Sequence, residues 1–191
     1  MRIYCCALIA GLLVIGSACS RTEPKPDLLR PATIKDIMDS MVDPSGDFMF
    51  ESIQEISDEH GFREKAPSTL KEWEEVRHHL FILLEAPNLL TMEGRKVAQP
   101  GERSENPQIE NQPEAVQKLL DADRPAFIRR ARRLQDAAVL AMKAADAKDK
   151  DALLKAIDRI DKACENCHLH YWYPNDARAQ QAAKEDGLDL D

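Results

Sequence analysis

Two cysteines and a histidine near the end of the chain have the spacing of a cofactor attachment sequence. Cys164, Cys167 and His168 occur together in the run CENCH. On an α-helix, residues i, i+3 and i+4 project from one face, so the two thiols and the imidazole would point the same way. The C-x-x-C-H spacing is that of haem c attachment, in which two thioether bonds hold the porphyrin and the histidine ligates the iron. The sequence therefore predicts one covalent haem c, with His168 as its proximal ligand.

Two other uses of these cysteines remain open at this point. A thiol–disulfide motif is expected at the start of a helix, where the helix dipole lowers the pKa of one thiol, whereas CENCH lies at the end of the last predicted helix. A zinc site would need His170 as a fourth ligand, and four ligands so close together in one helix give poor tetrahedral geometry. Both alternatives are weaker than haem attachment.

Four stretches of the chain carry apolar residues at helical spacing, and none shows convincing strand alternation. The predicted helices begin near Thr33, Ser68, Pro113 and Asp151, and the last ends near Tyr171. Pro44 is expected to kink or interrupt the first helix, whose apolar pattern resumes through Ile56. A break is expected at residues 123–125 and a turn at residues 147–149. These elements predict an all-α fold, with an antiparallel four-helix bundle as the simplest architecture.

The N-terminal region is predicted to direct export rather than to join the fold. Residues 3–15 are almost wholly apolar and follow Arg2, which suits a signal peptide and is too short for a bilayer span. Cys19 resembles the lipidated cysteine of a bacterial lipobox, although Gly16 stands where a larger aliphatic residue is usual. The prediction is a signal peptide over 1–18, a tether over 19–31, a domain over 32–175 and a frayed polar tail over 176–191. A periplasmic protein anchored through Cys19 is expected; simple cleavage or an uncleaved anchor are the alternatives.

The charge of the chain narrows the classes of partner. Its formal net charge is −8, which argues against binding nucleic acid, because phosphate recognition needs a basic face. An acidic surface favours basic periplasmic or membrane redox proteins. No nucleophile–base pair or carboxylate dyad stands out, so an enzyme is not predicted. The basic cluster Arg129, Arg130, Arg132 and Arg133 is expected to be a solvated helix face.

The layout of residues 33–175 resembles the class II cytochromes c, the group that contains cytochrome c prime and its low-spin relatives. The likeness rests on one haem motif on the last helix of a helical exported domain, and only CENCH is specific. The runs IMDSMVDPSGDFMF and ACENCHLHYWYP are similar to lipoprotein-like members of the group. The resemblance implies a four-helix bundle, His168 as proximal ligand and a distal site lined by the first helix. Members often form homodimers, which is a possible state here.

The sixth iron ligand decides between two functions. A methionine ligand on the first helix gives a low-spin haem for electron transfer, and Met38 is the first candidate, ahead of Met41 and Met49. An open position gives a five-coordinate haem that binds NO or CO, as the resemblance to cytochrome c prime implies. Of His78 and His79 at most one faces inward, because adjacent helical residues point about 100° apart. The sequence thus predicts one-electron transfer through a His/Met haem, with gas binding as the alternative.

Overall fold

The computed structural model describes residues 28–59 and 61–188, and this part of the chain is mostly helical. In chain order the elements are α1 (Ile34–Ile37), a π-helical turn (Met38–Val42), α2 (Asp43–Ser52), β1 (Gln54–Asp58), β2 (Gly61–Lys65), α3 (Leu70–Leu90), α4 (Pro113–Ala122), α5 (Arg124–Ala147), α6 (Lys150–Tyr171) and α7 (Ala177–Glu185). The predicted signal peptide and Cys19 lie outside the described residues. Among the helices that are described, none has the length and apolar character of a membrane span.

A β-hairpin between α2 and α3 departs from the predicted all-α fold, although the described residues are mostly helical. β1 and β2 pair antiparallel, with Gln54 opposite Lys65. Ile56, which was predicted to continue the first helix, lies in β1. α2 ends because the backbone of Ile53 is extended. Gly61, at a φ of 107°, supports the chain reversal between β1 and β2, which a helical pattern of apolar residues cannot indicate. The strands are largely exposed to solvent.

The first helical region is continuous from residue 34 to residue 52 because a π-helical turn accommodates Pro44. The region begins at Thr33, which exchanges hydrogen bonds with Asp36 in a capping box. Pro44 has no N–H, and its ring collides with the carbonyl four residues earlier in a regular helix. Before it, the Asp43 N–H donates to the carbonyl of Met38, five residues back. The predicted kink is therefore a widened turn rather than an interruption.

Capping residues set the bounds of the later helices. Thr69, and not Ser68 as predicted, is the N-cap of α3, and it shares a capping box with Glu72. Asp123 caps α5 at the predicted break, and its carboxylate accepts from the Ala126 N–H at 2.9 Å. Lys148 adopts the left-handed conformation at the predicted turn, with a φ of 53°.

The long helices share one hydrophobic core. α5 packs along both α3 and α6, and α2 packs on α3 and α6. The largest side chains excluded from solvent include Met49, Leu80, Leu83, Leu90, Leu153 and Ile160. Burial of such side chains is the main source of stability. The first helical region is thereby held against the helix that carries CENCH.

The connection from residue 91 to residue 112 is ordered by its contacts with both ends of the fold. Its backbone carbonyls at Lys96 and Val97 accept from the first two N–H groups of α1 at 2.8 and 2.9 Å. Asn111 donates from its backbone to Trp172 O at 2.7 Å and from its side chain to Tyr171 O at 2.9 Å. These bonds satisfy carbonyls at the end of α6 that the helix leaves unpaired.

The polar tail is ordered as α7 over part of its length, so the prediction that it is frayed is wrong for those residues. Asp176 caps α7 and accepts from the backbone of Arg178 and Ala179. Ala183 is buried, and α7 lies against α6. One apolar side of the short helix is enough to dock it on the domain.

Candidate haem site

The three residues of the attachment motif lie on the last two turns of α6. Cys164, Cys167 and His168 are each half-buried, and the two cysteines pack against the hydrophobic core. Neither thiol is in a disulfide. The helix that was predicted from the apolar pattern therefore presents both sulfurs and the imidazole from one element, as the i, i+3, i+4 spacing requires.

The environment of the two thiols differs from that of a redox-active cysteine pair. Burial raises the pKa of Cys164 and of Cys167 to about 12. Reactive cysteines in thiol–disulfide proteins have lowered pKa values, because the thiolate is the nucleophile. Two free thiols and an imidazole on one helix face are the residues that a c-type haem uses, the thiols for thioether bonds and the imidazole for the iron, so the residues fit that group.

A hydrogen-bond chain orients the imidazole of His168. Its Nδ1 lies 3.3 Å from the hydroxyl oxygen of Tyr173, and that hydroxyl donates to Glu165 Oε1 at 2.7 Å. Burial lowers the pKa of His168, so the ring is held neutral. Since Nδ1 is engaged, Nε2 is the nitrogen available to a metal.

The first helical region faces the attachment motif. Burial raises the pKa of Asp43, and the proximity of His168 opposes that shift. The Asp43 carboxylate in turn raises the pKa of Cys164. Met38 and Met41 lie in the π-helical turn immediately before Asp43, and both are half-buried against the core.

The other methionine sulfurs among the described residues have structural partners. Met49 is 0% exposed and fills the core. Met92 Sδ lies 3.0 Å from an Arg95 nitrogen, and Met142 Sδ lies 3.5 Å from one of Arg77. These positions leave the two methionines of the π-helical turn as the candidates nearest to Asp43.

One of the two adjacent histidines on α3 faces inward. His79 stacks on Phe48 with ring centroids 4.0 Å apart, and its Nδ1 lies 3.3 Å from the Ser45 hydroxyl oxygen. His78 is exposed. The sequence indicated that at most one could face inward, but it gave no sign of the partners on α2.

The prediction of a solvated arginine face is wrong for Arg130. Its side chain is buried, lies over the ring of Tyr171 at 5.8 Å, and approaches His170 Nδ1 at 3.3 Å. Burial raises the pKa of Cys167, and Arg130 opposes that shift. A guanidinium tolerates such a position because it stacks on aromatic faces and has many donors.

The comparisons with known proteins add no relative. No family model, curated protein or solved structure matches this chain. Across residues 28–59 and 61–188, no three His, Cys, Asp or Glu side chains form a group able to hold a metal ion. A c-type haem needs only two thioether bonds and one or two axial ligands from the protein. The case for function therefore rests on the residues of this chain.

Proposed function

We propose that this chain is a periplasmic c-type haem protein that transfers one electron at a time. One haem would be bound through Cys164 and Cys167, with His168 and Met38 as axial ligands. The observation that carries the proposal is the presence of both reduced thiols and the oriented imidazole on one face of α6, the helix against which α2 packs. The haem would supply an iron that alternates between the ferric and ferrous states.

In the proposed function, the protein holds the haem, orients its histidine ligand and shields the site from water. Tyr173 keeps Nδ1 of His168 engaged, which leaves Nε2 for the metal. The hydrophobic core against which both half-buried thiols pack lowers the local dielectric constant, which strengthens the hydrogen bonds around His168. We propose further that the domain is an antiparallel bundle of four helical segments, namely α1–α2, α3, α4–α5 and α6. Lipidation at Cys19 and basic redox partners belong to the same proposal.

The first experiment tests for the cofactor. Protein produced in a host that attaches haem c should give, after denaturation, the pyridine haemochrome spectrum of a haem whose two vinyl groups have both been saturated by thioether formation. The double variant Cys164→Ala/Cys167→Ala should carry no covalent haem. A wild-type protein that folds in that host without covalent haem would contradict the proposal.

The second experiment identifies the sixth ligand. We expect an absorption band at about 695 nm in the ferric protein, the mark of His/Met ligation. Met38→Leu should abolish it, whereas Met41→Leu and the core variant Met49→Leu should keep it. A high-spin ferric spectrum with rapid CO binding by the ferrous wild type would favour the gas-binding alternative instead.

A further inference from the structure

We propose that Tyr173 and Glu165 are positioning residues that form a proximal relay, in which His168 donates to Tyr173, Tyr173 donates to Glu165, and the carboxylate charge favours the ferric state of the iron. This inference deepens the proposed function and rests on it. Neither residue is among the predicted haem-binding residues: Glu165 lies between the two cysteines of CENCH, and Tyr173 follows the end of α6.

The geometry fixes the direction of each hydrogen bond. Glu165 as a carboxylate only accepts, so the Tyr173 hydroxyl is the donor over the 2.7 Å contact. The hydroxyl oxygen is then left to accept from Nδ1–H of His168 across 3.3 Å. The chain His168, Tyr173, Glu165 therefore has one consistent set of proton positions, and it assigns the proton of the neutral imidazole to Nδ1.

The backbone holds the relay in place without help from the side chains. The N–H groups of Trp172 and Tyr173 both donate to the His168 carbonyl, at 2.7 and 3.0 Å. The Tyr173 carbonyl accepts from the Asp176 N–H at 3.1 Å. The chain thus folds back after α6, which returns the Tyr173 ring to within 5.6 Å of the His168 ring. Such preorganisation is what makes a supporting residue effective.

The relay affects the iron through the basicity of its ligand. A hydrogen bond from the far nitrogen of a ligating histidine to an anion makes the imidazole a stronger electron donor. A stronger donor stabilises ferric iron more than ferrous iron, since ferric iron carries the larger charge. In this chain the anion acts through an intervening phenol, so the effect should depend on both residues together.

The test compares reduction potentials of the haem-loaded variants. Tyr173→Phe should raise the equilibrium constant for reduction about tenfold, which is 59 mV for a one-electron couple. Glu165→Gln should shift it in the same direction, and the double variant should shift it by less than the sum. The hyperfine-shifted Nδ1 proton of His168 should also exchange faster with solvent in Tyr173→Phe.

Tyr171, two residues before Tyr173, provides a matched control. Tyr171 is 4% exposed, and its hydroxyl has no hydrogen-bond partner among the described residues. Tyr171→Phe should therefore leave the potential and the proton exchange unchanged. Equal potentials in Tyr173→Phe, Glu165→Gln and Tyr171→Phe, with haem bound in all three, would overturn the relay alone. Absence of covalent haem from the wild type would overturn the proposed function and the relay with it.

Discussion

Arg95 ties the first helical region to the end of α3, and its removal should have a large effect on stability. The side chain is 7% exposed. Its Nε donates to the Leu89 carbonyl at 2.6 Å and a terminal nitrogen donates to the Ala32 carbonyl. Burial lowers the pKa of Arg95, although the guanidinium remains charged at neutral pH. Arg95→Ala leaves both carbonyls without this donor.

The size of the effect follows from these two contacts. Each hydrogen bond from a charged donor contributes about 1.5–3 kcal/mol, and relief from burying the charge offsets part of the loss. We expect Arg95→Ala to lower the free energy of unfolding by about 3 kcal/mol. In a domain of this size that corresponds to a fall in Tm of roughly 6–12 °C. Arg95→Lys should recover only part of this lost stability, since an ammonium group lacks the planar, multiply donating geometry of a guanidinium.

Circular dichroism during thermal and urea unfolding of the haem-loaded protein measures this change. Arg63→Ala is the matched control, because Arg63 makes an exposed ion pair with Asp58 in the hairpin, which is expected to contribute less than about 1 kcal/mol. If Arg95→Ala were no more destabilising than Arg63→Ala, Arg95 would not be an anchor of the first helical region.

Three further changes test the packing, the turn after α5 and the pH dependence. Met49→Ala should cost about 2–5 kcal/mol in urea unfolding because it opens a cavity in the core; a loss below 1 kcal/mol would contradict that role. Lys148→Gly should raise the stability by up to about 1 kcal/mol, since glycine adopts the left-handed conformation without strain, and an unchanged Tm would argue against strain there. The capping hydrogen bonds lower the pKa of Glu72 from 4.5 to about 2. Its contribution is therefore present above about pH 4.5 and lost as the pH falls to about 2; the difference in urea midpoint between wild type and Glu72→Gln should shrink over that range.

The attachment motif and most of the helices could be predicted because they depend on local rules. The i, i+3, i+4 spacing of CENCH, the break at Asp123 and the turn at Lys148 each follow from backbone geometry and capping chemistry. The hairpin could not be predicted in the same way, because Ile53 and Ile56 fit a helical spacing as well as they fit their actual positions, at the C-cap of α2 and in the middle of β1. A short apolar pattern does not distinguish the helical period of about 3.6 residues from the strand period of two residues.

The contacts around the motif depend on tertiary packing and gave no signal along the chain. Tyr173 reaches His168 only because the backbone folds back after α6, and Asp43 approaches it from a different helix. Arg130 looked like one of four similar charges, yet it alone of that cluster is buried. The packing of α5 on α6 determines which of the four arginines is buried, and residue type alone does not indicate it.

The π-helical turn means that chain length, as well as residue type, sets the direction in which Met38 projects relative to Met49. A π-helical turn holds one residue more than an α-helical turn, so it behaves as a single-residue insertion. Deleting Ser40 would restore regular helix and rotate residues 34–39 by about 100° relative to Met49. Under the proposed function, a gain or loss of one residue in this segment would therefore change which sulfur is presented to the iron while every methionine is retained.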